Sequence, residues 1–138
     1  MSAQRKVSVV KMEEAFELRK TIRGTLPRVP FKELAADILG PNYNLSFVVT
    51  GDALMKRLNT EYRNKKCPTN VLSFPLSYNE GEIFLNLRKT EREAQIQKKT
   101  LKSHAAFLFI HACLHLKGHD HGPKMEALEK LALKKWGF

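Results

Sequence analysis

The sequence predicts an α+β domain, and three observations carry that reading. Short runs rich in Val, Ile and Phe stand at 6–10, 44–50, 71–76 and 82–87, each of strand length and most bounded by Gly, Pro or Asn. Between them lie segments whose apolar residues recur at helical spacing. One of these, 102–117, is apolar almost all round, which marks a helix buried in a core.

Taken in order, KVSVV at 6–10 reads as a first strand, and 11–23 has helical composition with a weak apolar face. Pro27 and Pro30 make the next stretch a loop. Phe31, Leu34, Ala35, Ile38 and Leu39 define a helix that Gly40-Pro41 stops. NLSFVVT at 44–50 is a strand. Gly51-Asp52 then starts a helix with Leu54, Met55, Leu58 and Tyr62 on one side. A basic loop at 64–68 leads to the strand at 71–76, where Pro75 suits an edge position. Residues 79–81 form a turn before the strand at 82–87. The polar segment 89–99 is an exposed helix or a partly mobile stretch. The apolar helix at 102–117 follows, and 125–136 closes the chain with Met125, Leu128, Leu131 and Ala132 facing inward.

The 138 residues fit one domain, 1–138, with room for a proper core. No apolar run approaches the roughly 20 residues of a membrane span, and the first ten residues lack the apolar stretch of a signal peptide. The two cysteines, Cys67 and Cys113, provide no disulfide framework, so the expectation is two reduced thiols in a cytoplasmic protein. Cys113 falls on the apolar helix, where its default role is packing. Lys and Arg outnumber Asp and Glu by 24 to 14, a net charge of +10, which favours a polyanionic partner such as nucleic acid.

All 5 histidines lie between positions 104 and 121. In the stretch 111–121, HACLHLKGHDH, His111 and His115 are four apart and share one face of a helix. Gly118 can end that helix at positive φ and bring His121 back as a third ligand. Three imidazoles suit zinc or a similar divalent ion, and three protein ligands leave a place for water, as in catalytic rather than structural sites. His104 lies on the same face, about 10 Å from His111 by helical rise, too far to share an ion. It either contacts substrate or fills the cleft wall. His119 is a spare imidazole beside the site. Asp120 either orients a ligand or forms the turn.

These residues resemble the signature of the YbeY family of metal-dependent single-strand endoribonucleases, H-G-x-L-H-L-x-G-Y-D-H. His111, Leu114, His115, Leu116, Gly118, Asp120 and His121 stand at the matching places. Leu58-Asn59 with Tyr62-Arg63 is similar to that family's L-N-x-x-Y-R. The run from Thr69 to Pro75 is similar to its T-D-V-L-S-F-P, Gly81-Glu82-Ile83 to its G-D-I, and Met125 to Glu129 to a common tail. The likeness spans about Phe47 to the C-terminus, with gaps. Ala112, His119, Asn70 and Glu82 depart from the family's Gly, Tyr, Asp and Asp.

The resemblance implies a small mixed sheet of about four strands packed with helices around a metal-binding central helix, with a metalloprotease-like histidine site. It implies a zinc-dependent endoribonuclease acting in ribosomal RNA maturation, at the 3′ end of the small-subunit RNA, and in ribosome quality control. Single-stranded RNA is the implied substrate, and the small ribosomal subunit and an assembly GTPase are the implied partners. Arg63 is the implied catalytic residue, a fixed charge with a planar fork of donors for phosphate. Lys65 and Lys66 extend that charge, and Ser73 offers either backbone to an RNA strand or sheet packing. Two rivals stand beside this. A metallopeptidase shares the spacing H-E-x-x-H-x-x-G-x-x-H but needs a Glu as general base where this chain has Ala112. A non-catalytic ribosome assembly factor would use the metal for folding alone.

Overall fold

In a computed structural model, described for residues 15–63 and 69–138, four strands and five helices form the α+β arrangement. In chain order they are β1 (Phe16–Lys20), α1 (Phe31–Leu39), β2 (Asn44–Thr50), α2 (Asp52–Arg63), β3 (Val71–Ser77), β4 (Glu80–Asn86), α3 (Leu87–Gln97), α4 (Leu101–Leu116) and α5 (Pro123–Trp136). The sheet runs β1-β2-β4-β3 and is mixed: β1–β2 and β2–β4 are parallel, β3–β4 antiparallel. No described helix is long and apolar enough to cross a membrane.

The first half departs from expectation at one element. The strand expected at 6–10 lies outside the described residues. The helix expected over 11–23 is replaced, where described, by β1. Phe16 and Leu18 alternate with charged residues, a period of two that pairing with β2 selects over helical composition. The charges suit an edge position, which β1 holds among the described residues. β2 is interior to the sheet, with neighbours on both sides, and its sequence is correspondingly apolar through Val48 and Val49.

The core lies between the sheet and α4. In register, Phe47 and Ile83 put their side chains on the face that α4 covers, where Phe47, Phe31 and Phe109 form a triangle of rings with centroids 4.7–5.0 Å apart. α4 buries residues on every side, from His104 to Leu114, as its composition requires. Cys113 is fully buried there, and burial pushes its thiol well above the ordinary range, so it packs as a small apolar group.

Gly81 is expected in a turn, but the turn is Tyr78-Asn79 and Gly81 lies within β4. A Cβ there would come within 2.5 Å of the Tyr43 hydroxyl and 3.0 Å of Leu116, so the glycine permits the end of α4 to close on the sheet. Asn86 ends β4 one residue early and caps α3, accepting from the Lys89 amide. The segment after it is a helix with Leu87, Thr90 and Ala94 buried.

Of the expected inner face of α2, Met55 is buried and Leu54 and Leu58 half-buried, but Tyr62 is 65% exposed. Its ring meets Phe74 edge-on at 5.3 Å. On α5, Met125 is buried as expected, while Leu131 faces outward at 64% exposure and Glu129 takes a buried place. Tertiary bonding, described below, draws the carboxylate in.

β3 is an edge strand, as Pro75 suggests. Asn86 donates its amide to the Asn70 carbonyl, so by the antiparallel alternation the even positions bond to β4 and Val71, Ser73 and Pro75 direct their backbone groups to the open edge. Pro75 therefore has no amide hydrogen at a place where the sheet does not use one.

Candidate metal centre

The end of α4 is built to turn. Gly118 has φ of 105°, its amide donates to the His115 carbonyl, and the His119 amide reaches back to Leu114. This returns the chain so that His121 stands beside the two helical histidines, with ring centroids 4.9 Å from His111 and 4.6 Å from His115. Among the described residues these three form the cluster able to hold a metal ion, with one ligand atom from each lying within 4.8 Å of the others.

The outer nitrogens of the two helical histidines are occupied. His111 Nδ1 is 3.2 Å from Glu129 Oε2, and His115 Nδ1 is 3.0 Å from the His119 carbonyl. Both acceptors place the proton on Nδ1, which leaves each Nε2 as a bare acceptor pointing inward. Those two Nε2 atoms are 3.1 Å apart. Two acceptors so close repel unless a cation stands between them. A tetrahedral zinc, at about 2.0–2.1 Å from each nitrogen, would hold them about 3.3 Å apart, close to the spacing seen. Burial, and next the neighbouring His111, lower the pKa of His115 and favour the neutral imidazole that binds metal. The donor set therefore fits a divalent ion.

The cluster opens into a cleft of about 680 Å³ between β3 and α4. Arg63, at the end of α2, lines it, as do Asn70, Ser73, Phe74, Phe107 and the three histidines. Ala112 also lines it, so the position next to the first histidine brings a methyl group and no carboxylate. Lys65 and Lys66 lie outside the described residues. Asp120 is exposed; its charge opposes the fall in the His115 pKa without dominating it. His119 contributes its carbonyl oxygen to His115.

His104 is absent from the lining of this cleft. It is buried, with Nε2 3.0 Å from Glu93 Oε1. Glu93 in turn accepts from the Asn70 side chain at 3.1 Å. Burial raises the Glu93 pKa, but the bonds from His104 and Asn70 outweigh it and hold the carboxyl below its usual range. Sequence reasoning missed both Glu129 and Glu93. The one available signal for Glu129 was a carboxylate at a helical position where inward residues recur.

A mixed sheet carrying a helix whose histidines converge with a third across a glycine turn defines an α+β protein with a three-histidine site able to hold a metal ion. The chain belongs to the YbeY family: the family described as "Endoribonuclease YbeY" matches residues 4–137. It is 37% identical over 110 residues to the "Endoribonuclease YbeY" of Gluconobacter oxydans, covering 72% of this chain and 66% of that protein. Against the protein of that name from Chelativorans the identity is 37% over 124 residues, covering 83% and 76%. Against that from Polynucleobacter asymbioticus it is 42% over 92 residues, covering 60% and 59%. The match thus spans less than two thirds of the length of some of these relatives. The fold is similar to the solution structure of a Thermotoga maritima protein, with a TM-score of 0.65 and 25% identity over 88% of this chain and 89% of that one.

Proposed function

We propose that the chain, as one domain over residues 1–138, is a zinc-dependent endoribonuclease specific for single-stranded RNA, working in the cytoplasm on ribosomal RNA. Its place is the maturation of the small-subunit RNA 3′ end and ribosome quality control, with the small subunit and an assembly GTPase as partners; family membership supports this part. The observation that carries the chemistry is the convergence of His111, His115 and His121 in a cleft that also holds Arg63.

When bound, a divalent ion there supplies Lewis acidity toward a phosphoryl oxygen and lowers the pKa of a coordinated water. The protein's own residues do the rest. His111 and His115 hold their Nε2 atoms inward because Glu129 and the His119 carbonyl fix the other side of each ring. Arg63 presents a permanent charge to the scissile phosphate and stabilises charge as it develops. Lys65 and Lys66 add phosphate attraction without sequence reading, and Ser73 and Asp120 serve the strand and the metal ligands respectively. The peptidase alternative lacks its general base, since Ala112 cannot take a proton.

The test is elemental analysis of the purified protein together with cleavage of a single-stranded RNA, with and without chelator. Zinc near one per chain and chelator-sensitive cleavage are expected. Metal-dependent cleavage of a peptide library without RNA cleavage would overturn the reading.

A further inference from the structure

We infer that Asn70 is the group that recognises the ribose 2′-hydroxyl of the bound strand, and that Glu93 and His104 aim it; this rests on the nuclease reading above. Asn70 stands immediately before β3 and lines the same cleft as Arg63 and the three histidines. Its Nδ2 lies 3.1 and 3.4 Å from the two oxygens of Glu93. An ionised carboxylate only accepts, so Asn70 must turn its NH2 toward Glu93. The carbonyl Oδ1 is thereby set on the other side of the amide. Among the described residues it has no protein partner, and it is not a buried orphan.

Glu93 is held in turn. His104 Nε2 lies 3.0 Å away, and the His104 side chain is 3% exposed. Its Nδ1 is buried with no partner among the described residues. The other tautomer would put an N–H into that unpaired place and a bare nitrogen against the carboxylate, so the proton stays on Nε2. The backbone is fixed as well. The Asn70 carbonyl accepts from the Asn86 amide at 2.8 Å, and the Thr69 carbonyl from Asn86 Nδ2 at 3.2 Å. Asn86 is itself fully buried and also bonded to Asp52. With its amide held by Glu93 and its backbone by Asn86, the Asn70 side chain is preorganised to accept one hydrogen bond from a ligand.

The cleft is organised around a phosphate, through Arg63 and the histidines. The hydroxyl donor nearest a phosphodiester, present in every nucleotide whatever its base, is the 2′-OH, and DNA lacks it. An acceptor on the cleft wall therefore distinguishes RNA from DNA without reading sequence.

The experiment compares binding of three strands of one sequence to the zinc-loaded full chain at low temperature, with strand integrity checked on gels. The strands are RNA, 2′-fluoro RNA, which keeps an acceptor but removes the donor, and DNA. Wild type should bind RNA about three- to tenfold tighter than the 2′-fluoro strand. Asn70→Ala should bring that ratio to about one by weakening RNA alone. Glu93→Ala, which frees the amide to rotate, should reduce it in part. The ratio is internal to each variant, so a general loss of stability does not imitate the effect; zinc content and melting are recorded beside it. An unchanged ratio in Asn70→Ala, or a wild-type ratio of one, overturns the inference and leaves the nuclease reading standing. A change in base preference instead of sugar preference also overturns it. If the wild type binds no RNA, the nuclease reading falls and this inference with it.

Discussion

Glu129 and His111 are joined across 18 residues by a 3.2 Å contact between carboxylate and imidazole Nδ1, one from α5 and one from α4. Glu129 is 5% exposed, so α5 buries a carboxyl group that holds the ring. Removing such a support leaves the ligand in place but frees its ring to turn, and so lowers metal affinity. Glu129→Ala should weaken zinc binding about 10–100-fold, and Glu129→Gln, which keeps an acceptor, by less. Competition with a chromophoric chelator measures this. Equal zinc affinity in all three proteins would refute the supporting role.

A metal that binds only the folded chain stabilises it by mass action. At a zinc concentration about 1,000 times Kd the gain is about 4 kcal/mol, a rise of roughly 10–15 °C in melting temperature for a chain this size. Wild type should show that rise in calorimetry and His115→Ala should not. A rise of the same size in His115→Ala would show that zinc stabilises the protein from elsewhere.

Arg63 lines the cleft without belonging to the ligand set. Arg63→Ala should abolish RNA cleavage while bound zinc stays unchanged. Arg63→Lys keeps the charge but loses the planar fork, and should recover only part of the rate. Full cleavage by Arg63→Ala would remove the residue from the chemistry.

Gly81→Ala places a methyl group against Tyr43 and Leu116. The predicted cost is about 1–3 kcal/mol in chemical denaturation. Pairing it with Tyr43→Phe, which removes the hydroxyl in the way, should restore a good part. A neutral Gly81→Ala would mean that the end of α4 shifts freely.

Stability should fall in acid partly through Glu93. Despite partial burial, its bonds to His104 and Asn70 hold its pKa below the ordinary range of a glutamate in the folded chain. The folded state thus binds this proton less readily than the unfolded one. The stability that results is present above the unfolded value and is lost as pH falls through the lower folded value. Glu93→Gln should therefore flatten the stability profile below about pH 4.5, measured by urea unfolding at stepped pH. Parallel profiles for the two proteins would contradict this.

Much of the site was legible because its constraint is local. His111, His115, Gly118 and His121 lie within eleven residues, and helix geometry with one glycine turn brings them together. The buried helix was legible for a similar reason, since apolar composition on all sides admits one environment. β1 was not, because five mostly charged residues become a strand only when β2 is beside them. Gly81 looked like a turn residue because sequence does not reveal Tyr43 and Leu116 closing over it. Glu93 and Glu129 read as surface carboxylates on polar helices. Each instead bonds a histidine on α4, Glu93 half-buried and Glu129 buried, a contact that chain order does not announce.

Pro75 has a consequence beyond its place in the sheet. A strand with an unpaired side bordering a groove is a standing invitation for another polypeptide to zip alongside it and seed aggregates. Here the ladder such an intruder needs is missing a donor at Pro75, and the register breaks between Pro75 and Ser77. The flank nearest the histidines is thus poor at recruiting foreign β-structure and stays open to a ligand that makes no such ladder.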